Sequence, residues 1–393
     1  MRRVSARWLV LGLLALVSIG GTYAPQNSDY RPPDHTVDQG DSLLWVGIDA
    51  MYSYRFDQAQ AALDSVIARD PDNAVAPFVA VTNRWWQALT EEGVAESYEA
   101  LLSAVDTAIP HYEAMLERGG PEAEPLLFLG STYGLRARVA LAQKRWTSVI
   151  YSGLKGIRLV QRAHRQDSTM ADAWLPIGIF DYYTGASSRP VQILARIFGI
   201  RPDRQLGIAE LDRAVRQAPF AWIEAASTLS ILYLYIEGNP HAAYGYTALL
   251  IDHYPENYYF NFLYGEALVR TRRLDQARQL GPQLQVLIQR SHPNQRLEWE
   301  LKYAALQAAL AWEEGDTVLA LERAQWVIDN YEMEFDWHLG QALYLRATIR
   351  EQRGDLAGAR ADFRAVVRLD NGTWLIAPAR RAVARVEALI SPR

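Results

Sequence analysis

The chain has no cysteine. That absence removes a disulfide framework, a thiolate zinc site, an iron–sulfur cluster, a cysteine nucleophile and a lipid-modified N-terminal cysteine. Lysine is scarce as well. The basic residues are 37 Arg plus Lys144, Lys155 and Lys302, which we read as compositional bias of the genome. Positive charge is not in excess, and the formal charge of −5 speaks against a nucleic-acid binder, whose affinity rests on neutralising phosphates. There is no phosphate-binding glycine loop, no Gly-x-Ser-x-Gly elbow and no His-Glu-x-x-His motif. The seven histidines are scattered without an i, i+4 pair, so no metal or cofactor is expected. What remains is 393 residues, 50% of them hydrophobic: too apolar for disorder and too long for one small core.

Residues 1–24 carry Arg2, Arg3 and Arg7, then an apolar run from Trp8 to Ile19, then Gly20, Gly21, Thr22, Tyr23 and Ala24. A charged start, a short apolar core and small residues predict a signal peptide, with a cut after Gly20 favoured over one that would leave Pro25 beside it. As a helix the apolar run would reach about 18 Å, short of a bilayer core of about 30 Å. An uncleaved anchor is the competing reading. Residues 25–40, with Pro25, Pro32 and Pro33 among Asp and Asn, are expected to form an exposed tether. The mature chain is therefore expected in the periplasm or cell envelope, either free or attached through its N-terminus.

Beyond the tether, apolar residues recur at three- and four-residue spacing and β-branched alternation is scarce, so the chain is expected to be all-α. The stretches Gly238-Asn239-Pro240, Arg272-Arg273-Leu274, Gly315-Asp316-Thr317 and Gly354-Asp355-Leu356 each break one amphipathic helix and open another. In each copy an alanine lies five residues after the first break residue: Ala243, Ala277, Ala320 and Ala359, spaced 34, 43 and 39 residues apart. On these residues the chain resembles the tetratricopeptide repeat superfamily, whose 34-residue unit is a helix–turn–helix. Gly47, Ala59, Leu63 and Asp70-Pro71 fit a first unit; Gly130 with Tyr133, Gly265 with Ala277, and Ala347 with Ala359 and Phe363 fit later ones. The resemblance implies a right-handed α-solenoid of about eight helix pairs over residues 41–371, closed by a capping helix within 372–393.

Residues 168–220 break the period. Gly178 to Gly207 is 29 residues where the pattern wants 12, so an insert is expected within 185–202, with a short helix near 187–199 opened by Ser187-Ser188-Arg189-Pro190. Its apolar face would plug the core, line the inner surface, or touch a partner or membrane. Gly178-Ile179-Phe180-Asp181-Tyr182-Tyr183 and Phe198-Gly199-Ile200-Arg201-Pro202-Asp203 also resemble a larger helical-repeat family shared by bacterial envelope proteins and a eukaryotic group.

The resemblance implies a non-catalytic scaffold that binds a protein or peptide along the face of its first helices. The helix positions where the family grips a carboxylate are here Leu44, Ile48, Leu127, Ser131, Leu175, Ile179 and Phe262, so an apolar or aromatic-bearing peptide or helix is expected instead. Tyr182, Tyr183, Tyr259, Phe262 and Glu266 are the expected groove lining. The alternative is an exported α/α-toroid glycosidase or lyase, with Asp181 beside Tyr182 and Tyr183, or Asp336 between Phe335 and Trp337, as catalytic candidates. A third reading is a membrane-attached assembly factor of the envelope. Charge is also unevenly spread: residues 25–135 hold 18 acids and 5 Arg, whereas residues 136–393 hold 32 basic and 27 acidic residues.

Overall fold

A computed structural model describes residues 42–119, 122–187, 189–197 and 202–390. The expected signal peptide and tether lie outside these. Among the described residues no helix is long and apolar enough to cross a membrane.

The fold is an all-α solenoid. Its helices are α1 (Ser42–Tyr52), α2 (Phe56–Arg69), α3 (Val75–Glu91), α4 (Val94–Arg118), α5 (Ala123–Ala142), α6 (Trp146–Gln166), α7 (Trp174–Ala186), α8 (Arg189–Ile197) and α9 (Arg204–Gln217). They continue as α10 (Trp222–Ile231), α11 (Pro240–His253), α12 (Tyr258–Arg270), α13 (Leu274–Arg290), α14 (Pro293–Glu314), α15 (Thr317–Asp329), α16 (Trp337–Gln352), α17 (Leu356–Leu369) and α18 (Ile376–Ile390). A 3₁₀ turn, Ala171–Ala173, precedes α7, and a π-helical turn, Leu232–Ile236, extends α10. Helices α1–α2, α3–α4, α5–α6, α7–α9, α12–α13, α14–α15 and α16–α17 pair consecutively, the π-helical turn that extends α10 packs on α11, α8 is inserted in the fourth pair and α18 packs on α17. The chain divides into two compact units whose boundary, between Ala226 and Ser227, falls inside α10.

The hairpin turns explain the repeated break motif. Gly238, Gly315 and Gly354 take φ of 67°, 87° and 81°, and Tyr54, Lys144 and Arg272 take 59°, 58° and 61° at the equivalent points of other pairs. A left-handed residue ends the first helix, and the next residue caps the second. Asn239 accepts from the Ala242 amide, Asp316 from those of Val318 and Leu319, and Asp355 from that of Gly358. Two residues thus reverse the chain, which brings the second helix back along the first. The alanines that follow are the contact points: Ala243, Ala320 and Ala359 have no accessible surface and Ala277 has 3%.

Two glycine pairs set the closest approaches. A Cβ on Gly130 would lie 2.7 Å from the Gly156 carbonyl oxygen, and one on Gly207 would lie 2.6 Å from that of Gly178. So α5 meets α6, and α7 meets α9, backbone against backbone, a separation that no larger residue permits. In the last repeat Leu343, Ala347, Ala359, Phe363 and Val366 join Ala379, Ala382 and Val386 of α18 in one core cluster. Arg380, Arg381 and Arg385 stay exposed on the other face, as a terminal cap requires.

The inserted helix forms where it is expected, and Asp203 caps α9 by accepting from the Gln205 and Leu206 amides. It is tied back by Gln192, whose Nε2 donates to the carbonyls of Gly185 and Ser187, each at 2.9 Å. Ala195 is buried while Ile193 is exposed.

Candidate functional site: the faces where first helices converge

In the unit 42–226 the first helices of successive pairs converge on one polar and aromatic cluster. Tyr52, at the end of α1, donates 2.8 Å to Oε1 of Glu224 on α10, and its ring meets Trp86 of α3 edge-on at 5.4 Å. Trp45 of α1 stacks on Phe220 at 5.4 Å, so the unit's first helix touches the segment that ends it. Between them the guanidinium of Arg138 (α5) lies 4.9 Å from the centroid of Trp85 and 6.0 Å from that of Tyr98. Its Nε is buried without a hydrogen-bond partner. Burial pushes the Glu224 carboxyl up, opposed by the Tyr52 hydroxyl and by Arg138. Burial likewise raises the Tyr183 hydroxyl, again opposed by Arg138, although the residue keeps 37% of its surface accessible. Tyr183 therefore keeps part of its ring at the surface while Arg138 acts on its hydroxyl.

The same unit holds a pair of carboxyls between α7 and α9. Glu210 is pushed up to about 8 by burial, by the charge of Asp181 and by its hydrogen bond to Asp181. Asp181 rises to about 6, chiefly from burial, with the Glu210 bond pulling it down. At neutral pH Glu210 is thus the protonated partner and donates to an ionised Asp181. The other catalytic candidate, Asp336, accepts 2.9 Å from Nδ2 of Asn371 and holds the loop before α18. At both candidate positions the carboxylate is engaged in holding helices together.

In the unit 227–390 the convergence is buried. Glu266 of α12 accepts from the Tyr235 hydroxyl at 2.8 Å, is 2.7 Å from Nε2 of His338 (α16), and accepts 3.3 Å from Nε2 of Gln341. Burial works to raise the Glu266 carboxyl, but His338, the Tyr235 hydroxyl and Arg270 outweigh it and hold it below the usual range. The Tyr235 hydroxyl is raised well above its ordinary value by burial and then by Glu266. Arg270 donates to the Leu234 carbonyl and lies 4.8 Å over Trp374, whose amide donates 3.1 Å to the Tyr235 carbonyl. Trp337 stacks on Tyr235 at 4.6 Å and on the exposed Phe335 at 4.8 Å. Among the described residues no three His, Asp or Glu gather as a metal site.

With that geometry in view, the comparisons are informative over one stretch. Residues 227–285, from the second half of α10 into α13, match the family model of the tetratricopeptide repeat. Solved tetratricopeptide structures are similar to it at low identity. A tetratricopeptide repeat protein from Parabacteroides merdae is 10% identical, covering 89% of this chain and 100% of its own, at a TM-score of 0.30. Yeast Tom70 is 10% identical, covering 89% of this chain and 90% of its own, at 0.25. No curated protein sequence matches.

The expected lining residues fall in both units. Tyr182 is fully buried, with the Arg204 guanidinium 5.5 Å from its ring, and only its neighbour Tyr183 reaches the surface. In the second unit Tyr259 is half-buried, with Lys302 Nζ 4.9 Å from its ring, and Phe262 is a core residue stacked on Trp299 at 5.5 Å. Glu266 is locked in its buried network. Tyr182 and Phe262 therefore do not line a groove.

The apolar positions themselves lie in the core. Leu44, Ile48, Leu127 and Phe262 are buried core positions, Phe262 against Trp299 of the next pair. The residues that meet between repeats are Tyr52, Trp85, Arg138, Tyr183 and Glu224 in one unit and Tyr235, Glu266, Arg270 and His338 in the other. A signal for several of them was present. Tyr52, Tyr183 and Arg270 each lie five residues after a packing glycine (Gly47, Gly178 and Gly265), turned away from the face that buries it.

Proposed function

We propose that this tetratricopeptide repeat chain is a non-catalytic interaction scaffold of the bacterial cell envelope, and that the unit 42–226 receives an apolar or aromatic-bearing peptide segment beside Tyr183. The observation that carries this reading is an accessible ring, Tyr183, in the same unit as a guanidinium, Arg138, that has no ion-pair partner among the described residues. Tyr183 offers a surface on which an apolar or aromatic side chain can stack. Arg138 lies over the rings of Trp85 and Tyr98, and its buried Nε has no hydrogen-bond partner within the unit. Tyrosine and arginine are among the residue types enriched at binding hot spots. The unit 227–390 offers less, because its equivalent groups bond to one another.

The envelope assignment rests on residues 1–24. N-terminal sequencing of chain recovered from the envelope fraction tests it: a start at Gly21 is expected, whereas an intact Met1 supports the membrane-attached reading. The binding assignment is tested by crosslinking pull-down from envelopes with wild type, Tyr183→Ala and Arg138→Ala. A discrete band lost in both variants is expected, and unchanged capture overturns it.

A further inference from the structure

Helix α6 holds a second surface, unrelated to the site just described. Residues Tyr151, Leu154 and Leu159 form the floor of an open groove of about 450 Å³, walled by Lys155, Arg158, Arg162 and Arg165. The spacing runs i, i+3, i+4, i+7, i+8, i+11, i+14, one continuous stripe of a single helix about 21 Å long. Tyr151 and Ile150 beside it are exposed, at 61% and 49%. The helix has no Asp or Glu anywhere between Trp146 and Gln166, although it follows the acidic part of the chain. Two of the four cations are partly satisfied: Lys155 lies 2.5 Å from the Tyr133 hydroxyl and 3.8 Å from Glu113, and Arg162 lies 2.6 Å from Glu122. Arg158 and Arg165 have no ion-pair partner among the described residues.

We propose that this groove is the docking site of the chain's own acidic segment, residues 25–41. That segment carries Asp29, Asp34, Asp38 and Asp41 against the single Arg31, with Tyr30 as an aromatic group for the floor. Its charge is complementary to the stripe. Pro25, Pro32 and Pro33 favour extended backbone at about 3.1 Å per residue, which would set Asp29 and Asp34 about 15 Å apart. Lys155 and Arg165 are likewise about 15 Å apart along α6. Reach is ample: 17 residues extend to about 55 Å, while a unit of this size has a radius of gyration of about 16 Å. Because the segment is covalently joined to the unit at Ser42, its effective concentration is in the millimolar range, so even a weak docking interaction is populated. Docking would cover the exposed aromatic and cationic stripe.

The absence of native cysteine makes the test clean. Spin labels on the full chain at Asn27→Cys and Ser168→Cys report the distance between the segment and the end of α6 by electron paramagnetic resonance. A single narrow distribution is expected, and it should widen at least roughly twofold in Arg158→Glu/Arg165→Glu and at about 1 M salt. Arg55→Glu/Arg69→Glu, an equal charge change elsewhere on the unit, should leave it narrow. A broad distribution in the labelled parent overturns the proposal, as does a narrow one indifferent to both charge reversal and salt. Tyr183→Ala should not alter the distribution, so this result stands or falls apart from the binding site at Tyr183.

Discussion

The two units use the same pair of groups and leave them in different states. In each, a tyrosine hydroxyl donates 2.8 Å to a glutamate on a later first helix: Tyr52 to Glu224 in one, Tyr235 to Glu266 in the other. In the unit 227–390 that glutamate also meets His338 and Gln341 and feels Arg270, and the whole network is sealed under Trp337 and Trp374. In the unit 42–226 the cation, Arg138, leans on aromatic faces, and Tyr183 remains at the surface. One network is spent on structure, while the other keeps groups in reserve. Polar groups that converge between repeats are therefore not in themselves a binding site. What matters is whether the fold has already satisfied them.

The sharpest way to break this comparison is to remove each glutamate. Glu266→Ala strands Arg270 and His338 in a buried site and should cost about 3–5 kcal/mol. Glu224→Ala removes one tyrosine hydrogen bond and should cost about 1 kcal/mol. Hydrogen exchange read by mass spectrometry over each unit measures both, and equal losses would erase the distinction drawn here.

Next in size is the backbone approach. Gly207→Ala places a methyl against the Gly178 carbonyl and should destabilise the unit 42–226 by about 3 kcal/mol. Gly134→Ala, where a methyl meets nothing within 4 Å, should be neutral or stabilise by up to about 1 kcal/mol. Thermal melts of the two variants separate them.

The carboxyls singled out in the two units should respond to pH in opposite senses. Glu210 is pushed up to about 8 and Asp181 to about 6 when folded, above their unfolded values, so this pair holds more protons in the native unit 42–226 than in its unfolded chain, whereas His111 and His164, lowered by burial, act in the other direction. The pair's contribution to stability should fall as pH rises from about 5 to 8, and Glu210→Gln should remove that contribution. Glu266 is depressed when folded, so its contribution is complete above the ordinary carboxylate range and disappears as pH falls through its lowered folded value. Denaturant melts at pH 5 and 8 with exchange read by unit check both signs.

The smallest effect should be the same in both units. Lys144 and Arg272 hold left-handed backbone at equivalent hairpin turns, and glycine at either position should add about 1 kcal/mol. Unequal gains would mean that the two turns are not equivalent.

Much of the fold was legible because its signals are local. The Gly-Asn, Gly-Asp and Arg-Arg breaks mark left-handed turns followed by caps, and the alanines after them mark where helices touch. The excess spacing between Gly178 and Gly207 marked the insert, and α8 forms within it. The inner faces were less legible, because they depend on which first helices meet across several repeats. Tyr52 and Glu224 are 172 residues apart, Glu266 and His338 are 72 apart, and no period joins either pair. Leu44 and Phe262, expected at groove positions, are buried in the core. The neighbours Tyr182 and Tyr183 look alike in sequence and differ only in which side of α7 each one takes.

The central claim is that the unit 42–226 presents an accessible binding face while the equivalent face of the unit 227–390 is closed. A photo-crosslinking phenylalanine analogue at Tyr183 and, in a separate chain, at Phe262 tests it in intact envelopes. The account predicts a discrete intermolecular adduct from position 183, lost with Arg138→Ala, and only intramolecular products from position 262. An intermolecular adduct from 262 with none from 183 would contradict it.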